Sequence, residues 1–470
     1  MRIYEINSRA HCQKFDDIED AELAELARLG FDAIWLMGAW QISEGARKIS
    51  KVISEDYEGS PYAVPVYEFN AGLGGGGQFT ALVSRAHDAG LAVIVDFVSN
   101  HMALDSPWID DHPEFFMRSE VRARRQSTNE YFLHPSGEVI AFGRDPYFPP
   151  WTDTAQLDYS NAGLRLRMIE TLKQISRHAD GVRCDMAMLV LRDYIRHQWF
   201  PLVPESAFNE LMPGEFWDRA IGEVKKQSPN FKFIAEAYWD KEPLLHQLGF
   251  DLTYEKKLYD ALVARDSRAV IERLTKDSAA LRSSVYFIEN HDEQRAATVF
   301  SRADNLAFCA LVLSLPGSAL IHEGQMEGRH ERLPVQRVRP LIAEPTDAAL
   351  KKSYLTVLEA TSDDIFESGD FSLFDCETYG TVAFTRRSGG RAVAYIGQVS
   401  EAWHKFSSAS LNVSRLAAAA GARGRLRLTN LLAPHSILIE ESGGAFRLEP
   451  YRLGVDHESN FCLVEASASN

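Results

Sequence analysis

Charged and hydrogen-bonding side chains follow four short apolar segments of this sequence, at the point where each segment ends. The segments run into DFVSNH (residues 96–101), GVRCD (181–185), FIAE (233–236) and FIENHD (287–292). A single aspartate after a strand is usually a helix cap or a turn residue. That explanation would have to hold separately at all four segments. In addition, an ion is costly to bury without a partner, so charges at the ends of four buried segments need one another. The pattern therefore predicts one polar site that can do acid–base or nucleophilic chemistry.

The elements that must position these side chains repeat along the first two thirds of the chain. An amphipathic helix ends at a glycine and a short apolar strand follows, as in residues 19–30 with Gly30 before the strand 33–37. Continuous apolar strands indicate burial on both faces, as in a parallel sheet. The predicted strands are residues 3–6, 33–37, 91–97, 181–185, 233–236, the neighbourhood of Leu252, 285–289 and 319–322.

Eight strands alternating with helices favour a closed (β/α)8 TIM barrel over an open doubly wound sheet. An open sheet usually has a glycine-rich phosphate turn after its first strand. The glycine cluster at residues 74–77 stands elsewhere, and we interpret it as a flexible loop. We expect the carboxyl ends of the strands, and with them the four motifs, to meet at one face of the barrel.

Two parts of the chain depart from the barrel pattern. The stretch after His101 is rich in proline, aspartate and aromatic residues and lacks a helical period, which is typical of a functional insertion. Near the end, short runs separated by glycine and serine predict an antiparallel β-sandwich, with strands at 381–386, 392–397, 425–430 and 454–464. The predicted domains are residues 1–101 plus 159–365 for the barrel, 102–158 for a small inserted subdomain after strand 3, and 366–470 for the C-terminal domain.

Composition narrows the classes of function. The 470 residues carry a net charge of −16, which argues against a protein that binds nucleic acid through its phosphates. Five cysteines at irregular spacing match neither a disulfide framework nor a zinc site. The first residues show no apolar signal region, and no apolar run is long enough to span a bilayer. We expect a cytoplasmic protein that does not bind membranes.

The four motifs together resemble those of the α-amylase family of glycoside hydrolases and transglycosidases. QLDYS (156–160) is similar to the short motif that this family carries near the end of its inserted subdomain. LPGSALIHEGQMEG (315–328) is similar to its eighth strand, and the resemblance covers nearly the whole chain. It implies a retaining α-glycosidase that acts on α-linked glucooligosaccharides through a covalent glycosyl-enzyme intermediate.

By position, the resemblance implies that Asp185 is the nucleophile, Glu236 the general acid and base, and Asp292 the carboxylate that holds the distorted sugar ring. Arg183 is implied to orient Asp185. Adjacent barrel strands are about 5 Å apart, which suits the carboxyl separation of about 5–5.5 Å in retaining glycosidases. Arg183 lies two residues before Asp185 on the same face of the strand, and we expect it to keep Asp185 ionised. We expect neighbouring carboxylates to keep Glu236 protonated.

The resemblance also implies contacts to the sugar at the cleavage site. Tyr62, in GSPYAV, is similar to the family's stacking tyrosine, and His101 and His291 are implied to hydrogen-bond its hydroxyls. Asp96 is implied to support the site from beneath. Four tryptophans fall in predicted loops on the same side, where stacking on sugars and packing of the loops are equally compatible with the pattern: Trp40, Trp108, Trp151 and Trp239. Trp35 lies inside a strand and is predicted to be core.

We expect no cofactor and no calcium at the site that many family members use. Asn100 stands where such members supply one oxygen to the ion. In those members, lysine and histidine stand shortly after the fourth strand, whereas this chain has Met188 and Leu189 at these positions. Neither side chain offers the hard oxygen that Ca²⁺ prefers. The change also removes a polar contact from the leaving-group side, which argues against internal cleavage of long starch.

Several functions stay open on the sequence alone. GSPYAV and residues 216–240 are similar to the intracellular maltosyltransferase branch of the family, and a transglycosylase uses the same covalent intermediate as a hydrolase. A non-catalytic carbohydrate-binding member is a further alternative, although such a protein would be expected to lose a carboxylate. A metal-dependent barrel hydrolase would need a His-x-His pair at a strand end, which the sequence lacks.

Overall fold

Eight parallel strands form the centre of the protein, whose computed structural model describes residues 1–119, 129–339, 343–401 and 405–469. The barrel strands are β1 (Arg2–Asn7), β2 (Ala33–Met37), β3 (Ala92–Val98), β8 (Gly181–Asp185), β9 (Lys232–Ala235), β10 (Leu252–Tyr254), β11 (Ser284–Tyr286) and β12 (Ser318–His322). Each pairs in parallel with the next, and β12 pairs with β1, so the sheet closes on itself. The predicted (β/α)8 barrel is confirmed.

The strand register brings the motif residues to one level of the barrel. Asp96 of β3 is paired with Arg183 of β8. Cys184 is paired with Ala235 of β9, so Asp185 and Glu236 are the next residues of two adjacent strands. Short apolar strands that end in polar residues therefore carry those residues to the carboxyl face together.

Helices surround the barrel and follow the predicted pattern of a glycine stop. Gly30 and Gly90, after the second and fourth helices, have φ of 82° and 88°, in the left-handed region that ends a helix. None of the helices in the described ranges is long and apolar enough to cross a membrane. The helices are α1 (Ser8–His11), α2 (Asp20–Arg28), α3 (Glu44–Ile53), α4 (Gly75–Asp88), α5 (Trp108–Asp111), α6 (Ala162–Ile175), α7 (Arg192–Trp199), α8 (Glu205–Leu211), α9 (Phe216–Gln227), α10 (Glu242–Gln247), α11 (Lys256–Val263), α12 (Ser267–Leu274), α13 (Ser278–Arg282), α14 (Ala296–Val299), α15 (Arg302–Ser314), α16 (Ala348–Ala360), α17 (Asp364–Ser368) and α18 (Ser414–Ala419).

The prediction of a flexible loop at residues 74–77 is wrong, because Gly75 begins α4. The backbone N–H of Gly75 donates to the carbonyl of Asn70, 2.9 Å away, and fixes the start of the helix. Each glycine costs the helix about 1 kcal/mol relative to alanine. Burial of Phe79 and Leu82 on the barrel-facing side offsets that cost.

The chain between β3 and α6 forms two small antiparallel sheets at the carboxyl face of the barrel. One pairs β4 (His101–Ala103) with β7 (Thr154–Gln156), and the other pairs β5 (Tyr131–Leu133) with β6 (Val139–Ala141). Residues 120–128 of the predicted subdomain lie outside the described residues. The limits of the predicted domains stay a prediction.

The antiparallel C-terminal region is confirmed, in the form of a six-stranded sheet with order β13-β14-β15-β20-β17-β18 and a two-stranded sheet of β16 and β19. One face packs on the barrel, where the Tyr395 hydroxyl donates to the Ala307 carbonyl of α15 at 3.0 Å. The predicted strand 454–464 is half wrong, because Gly454 (φ 75°) ends a 3₁₀ turn and the strand begins at Phe461. The strands are β13 (Asp370–Leu373), β14 (Thr381–Ser388), β15 (Arg391–Gln398), β16 (Leu411–Asn412), β17 (Arg425–Asn430), β18 (Ser436–Glu440), β19 (Arg447–Leu448) and β20 (Phe461–Ala468).

Candidate active site

Arg183 lies at the centre of the polar cluster and joins the carboxyls of two strands. Its Nη1 donates to Asp185 Oδ1 at 2.8 Å, and its Nη2 lies 2.9 Å from Glu236 Oε2. Nη1 is also 3.8 Å from Asp96 Oδ1. Because a single guanidinium contacts both Asp185 and Glu236, these carboxyls lie side by side at the carboxyl face, as the strand register requires.

Aromatic rings hold this guanidinium in place. The Arg183 Cζ atom is 5.3 Å from the ring centroids of Trp35 and Tyr62 and 5.7 Å from that of Tyr254. All are within the range of a cation–π attraction, which is stronger when the cation is desolvated. Arg183 is only 1% exposed, and Trp35 packs inside the barrel as predicted. The cation is therefore a fixed part of the site.

Besides its ion pair with Arg183, Glu236 accepts hydrogen bonds from two groups. The Tyr238 hydroxyl donates to Oε1 and the Met186 backbone N–H donates to Oε2, each at 2.7 Å. Met186 has φ of 41°, in the left-handed region that a methionine rarely adopts. Such strain at a functional site persists when the surroundings require it. Here it aims the amide of the residue after Asp185 at the neighbouring carboxyl.

The two buried aspartates of the cluster are harder to ionise than free aspartates. Burial, reinforced by the charge of Glu236 and opposed by Arg183, raises the pKa of Asp185 from 3.8 to about 7. Burial likewise raises the pKa of Asp96 to about 7 against the attraction of Arg183. Arg183 lowers the pKa of Asp185, which is the expected direction, but burial and the charge of Glu236 outweigh it, because three carboxyls share one guanidinium in a buried site.

His291 ties the third predicted carboxylate to the barrel interior. Its Nε2 is 3.0 Å from Asp292 Oδ2 and 2.7 Å from the Tyr62 hydroxyl, and its Nδ1 hydrogen-bonds Glu5 of β1. Burial lowers the pKa of His291, but Asp292 and Glu5 together raise it well above its ordinary value. Burial raises the pKa of Asp292, but the charge of His291 outweighs it, and the pKa is lowered overall. An imidazolium between two carboxylates therefore connects the ends of β1 and β11.

His101 is the first residue of β4. Its side chain is neutral at physiological pH, because burial lowers its pKa to about 4. Its Nδ1 is buried and has no hydrogen-bond partner within the described part of the chain. The ring lies 5.1 Å from that of Trp151. A neutral imidazole with a free nitrogen suits a ligand hydroxyl, which can donate or accept.

The structure brings the predicted site residues together, and His101 joins them through a hydrogen bond to the Tyr62 backbone. Asp96, Arg183 and Asp185 share β3 and β8, Glu236 follows β9, and Tyr62 joins them through His291. Sequence reasoning missed Glu5, Tyr238 and Met186. Tyr238 carried a signal, since it follows Glu236 by two residues, whereas Glu5 lies inside an apolar strand and meets His291 only when the barrel closes.

The position at which many family members bind calcium, where we expect none here, holds an engaged amide and two apolar side chains. The Asn100 side-chain oxygen accepts a hydrogen bond from Gln156 Nε2 at 3.0 Å. Met188 and Leu189 are buried. Across the described ranges, no group of three or more histidine, cysteine, aspartate or glutamate side chains is arranged to hold a metal.

The four loop tryptophans divide into two kinds. Trp40 and Trp108 are buried, and the Trp40 indole N–H donates to the Asp96 carbonyl at 2.7 Å, so both pack the loops. Trp151 contacts His101, and Trp239 meets Tyr147 of the insertion with ring centroids 4.8 Å apart. Trp151 and Trp239 therefore lie beside the candidate site.

Clustered carboxyls at the carboxyl ends of the strands of a closed (β/α)8 barrel lie where enzymes of this fold have their active sites. The family model described as "Alpha amylase, catalytic domain" matches residues 21–364. The match covers most of the chain, so the chain belongs to the α-amylase family, and the resemblance stated from the motifs is confirmed.

Curated relatives are distant and longer. The chain is 25% identical to "Alpha-amylase MalA" of Haloarcula japonica, over 70% of this chain and 44% of the relative. It is 26% identical to "Alpha-1,4-glucan:maltose-1-phosphate maltosyltransferase" of Rhodospirillum rubrum, over 57% of this chain and 35% of the relative. The chain thus spans less than half the length of these relatives.

Solved structures match over nearly the full length of both chains. A noncanonic maltogenic alpha-amylase AmyB from Thermotoga neapolitana superposes with a TM-score of 0.74 at 22% identity, covering 99% of this chain and 98% of its own. An alpha-amylase from Lactobacillus plantarum gives 0.71 at 23% identity, with the same coverage. At these identities the likeness shows a shared fold.

Proposed function

We propose that this protein is a retaining α-glycosidase that acts on α-linked glucooligosaccharides through a covalent intermediate on Asp185. The observation that carries the proposal is the pair of carboxyls on one guanidinium: Asp185 at 2.8 Å and Glu236 at 2.9 Å from Arg183. Two carboxyls held side by side are what a double displacement at the anomeric carbon needs. Membership of the α-amylase family supports the substrate class.

In the first step, a carboxylate oxygen of Asp185 attacks the anomeric carbon as the bond to the leaving oxygen breaks. Glu236 gives its proton to that oxygen, and the glycosyl ester on Asp185 forms. In the second step, Glu236 takes a proton from a water or a sugar hydroxyl, whose oxygen displaces Asp185. Positive charge that develops on the sugar ring favours the ionised form of Asp185 in the transition state, despite its pKa of about 7.

The remaining predicted residues bind the sugar. Asp292 is ionised and 41% exposed, so its carboxylate is available to the hydroxyls of a distorted ring. The neutral His101 ring lies beside Trp151 at the same face, where we expect it to meet another hydroxyl. Tyr62 packs against His291 with ring centroids 5.6 Å apart and forms an apolar floor for the ring.

Azide rescue with an activated glucosyl donor tests the two roles separately. Azide added to the Asp185→Ala variant should restore turnover and give the β-glucosyl azide, by one displacement. Azide added to the Glu236→Ala variant should give the α-glucosyl azide, because two successive displacements restore the original configuration. Exchanged products would reverse the roles, and an Asp185→Ala variant with near-normal rates would refute the assignment. The exposed Asp56 provides a matched Asp56→Ala control that should keep full activity.

Transglycosylation on the same intermediate is the second candidate, and an aromatic cluster favours it. Trp239, three residues after Glu236, lies 4.8 Å from the Tyr147 ring and 5.4 Å from that of Tyr194. Tyr147 is 65% exposed. Aromatic faces bind sugar rings and can hold an acceptor against competition from water. Incubation with maltotriose should then give chains longer than the substrate, whereas a strict hydrolase gives only shorter ones.

The free thiols of the cysteines support a reducing compartment, and we propose that the protein is cytoplasmic. All five are unpaired: Cys12, Cys184, Cys309, Cys376 and Cys462. Disulfides persist in oxidising compartments and are rare in the cytosol. Cell fractionation with a periplasmic or secreted marker checks this placement.

A further inference from the structure

Glu5 is a charged side chain inside the barrel that takes no direct part in the proposed reaction. It lies in β1 and is 0% exposed, between Tyr4 and Ile6, which pack in the core between the strands and the helices. Alternation along the strand therefore turns Glu5 inward on the same face as Ile3, which belongs to the inner core with Trp35. An ion is costly to bury in such a place. An apolar side chain would avoid that cost, so we expect the carboxylate to serve the site at the end of the strands.

Among the residues that the structure describes, the Glu5 carboxylate hydrogen-bonds a single side chain, the ring of His291. Its Oε1 accepts from His291 Nδ1, while its Oε2 is buried and has no hydrogen-bond partner in the same part of the chain. The neighbouring His322 of β12 is engaged elsewhere, because its Nδ1 lies 3.0 Å from Glu289 Oε1. Burial raises the pKa of Glu5, but the attraction of His291 and His322 outweighs it, so the carboxyl is ionised. The charge of Glu5 is therefore directed at one ring.

The surroundings of His291 fix the orientation of its ring. The side chain is buried, and its ring centroid lies 5.4 Å from that of Trp35 and 5.6 Å from that of Tyr62. Its Nε2 is 3.0 Å from Asp292 Oδ2 and 2.7 Å from the Tyr62 hydroxyl. Because Glu5 occupies the other nitrogen, the ring cannot turn over without breaking contacts at both ends. The same two nitrogens therefore always face the same two carboxylates.

Charges of both signs surround this ring, and the two ions that hydrogen-bond it are carboxylates. Burial lowers the pKa of His291, but Asp292 and Glu5 outweigh it and raise the pKa overall. The charged and titratable groups around Glu5 and His291 come from six strands or the loops that follow them: Glu5 of β1, Tyr62 after β2, Asp96 of β3, Arg183 of β8, Asp292 after β11 and His322 of β12. The cation of His291 therefore depends on two carboxylates, and Glu5 is the one that a substrate does not reach.

We propose that Glu5 is a positioning residue: it holds a proton on His291 Nδ1, so that Nε2 keeps its own proton and fixes Asp292 for the sugar. This inference rests on the proposed function. If the ring loses one proton, Glu5 retains the proton on Nδ1, and Nε2 is left with a lone pair. That lone pair faces the Asp292 carboxylate, which then loses both a hydrogen-bond donor and a counter-charge. Deprotonation of His291 therefore releases the carboxylate that the distorted sugar ring needs.

Nuclear magnetic resonance of the protein labelled with ¹⁵N-histidine measures the charge of His291 directly, and the spectrum of His291→Gln assigns its signals by their loss. The wild-type ring should carry both protons at pH 7; a neutral ring there would overturn the proposal without any variant. Glu5→Gln keeps the shape of the side chain and removes the buried ion, and it should lower the titration midpoint of His291 by about one pH unit or more. The matched control is Glu359→Gln, an exposed glutamate of α16, which should leave the midpoint unchanged. An unchanged midpoint in folded Glu5→Gln would overturn the proposal.

The pH dependence of kcat/KM for 4-nitrophenyl α-glucoside tests the consequence for the reaction. Between pH 5.5 and pH 8, kcat/KM should fall about tenfold more in Glu5→Gln than in the wild type, because one pH unit in the midpoint changes the protonated fraction about tenfold. Glu359→Gln should follow the wild type. A merely structural Glu5 would lower kcat/KM by the same factor at both pH values, and that result would overturn the proposal. A wild type that turns over no α-linked donor would refute the glycosidase, and the titration would still decide whether Glu5 sets the charge of His291.

Discussion

Replacing Asp185 with asparagine should stabilise the folded protein, and the gain should grow as the pH rises. A carboxyl whose pKa is higher in the folded protein than in the unfolded chain destabilises the fold progressively between the two values. For Asp185 these values are about 7 and 3.8. The cost of ionisation is absent below pH 3.8, develops between pH 3.8 and pH 7, and is complete above pH 7. Asparagine has the shape of the neutral acid and does not ionise.

The size of the effect follows from those two values. Each pH unit between the two values costs about 1.4 kcal/mol, and about 1.2 units have taken effect at pH 5 against about 3.2 units at pH 8. Between these pH values, the advantage of Asp185→Asn over the wild type should therefore grow by about 3 kcal/mol. A chain of this length unfolds with an entropy that converts each kcal/mol into about 1 °C of melting temperature.

Differential scanning calorimetry at pH 5 and pH 8 measures the difference. The melting temperature of Asp185→Asn should exceed that of the wild type at both values, by about 3 °C more at pH 8. The matched control is the exposed Asp56→Asn, whose difference from the wild type should not change with pH. A lower melting temperature for Asp185→Asn at pH 8, or a difference that is flat with pH, would refute the reasoning from burial and shared charge.

Three other perturbations should have distinct results. Arg183→Met should abolish turnover and lower the free energy of unfolding at pH 7 by about 3–5 kcal/mol in urea titration, because it leaves buried carboxylates without a cation. Tyr238→Phe removes a hydroxyl donor 2.7 Å from Glu236 and should lower kcat/KM about tenfold; an unchanged value would show that this bond has no catalytic part. His11, whose pKa burial lowers but Glu22 and Glu323 raise to about 10, should stabilise the fold fully below pH 6.5 and lose this effect as the pH rises towards 10. Melting curves of His11→Gln should therefore lie below those of the wild type at pH 6 and converge with them near pH 10; a constant gap would contradict the ion pairs.

Local patterns predicted the barrel because each strand carries its own signal. A continuous apolar run after a glycine stop is visible in one sequence, and the strands 33–37 and 181–185 begin and end where the sequence predicts. The prediction of a loop at the glycine cluster 74–77 was wrong for the opposite reason. Its helix is stabilised by the packing of Phe79 on residues distant in the sequence, which outweighs local propensity.

The candidate site was predictable where its residues end strands and unpredictable where they meet through barrel closure. Asp185 and Glu236 follow apolar strands and stand out as charges that need partners. Glu5 lies 286 positions from His291, and only the pairing of β12 with β1 brings them together. The strained backbone of Met186 has no counterpart in composition or periodicity.

Mass spectrometry of the protein treated with a 5-fluoro-α-glucosyl fluoride tests the central claim most directly. Trypsin cuts after Arg183 and Arg192, and the peptide between them, CDMAMLVLR, contains one carboxylate side chain, that of Asp185. We predict that this peptide alone carries the fluoroglucosyl group and that the label is absent from Asp185→Asn. A label on another peptide, or an active enzyme that never forms an adduct and inverts its substrate, would contradict the account.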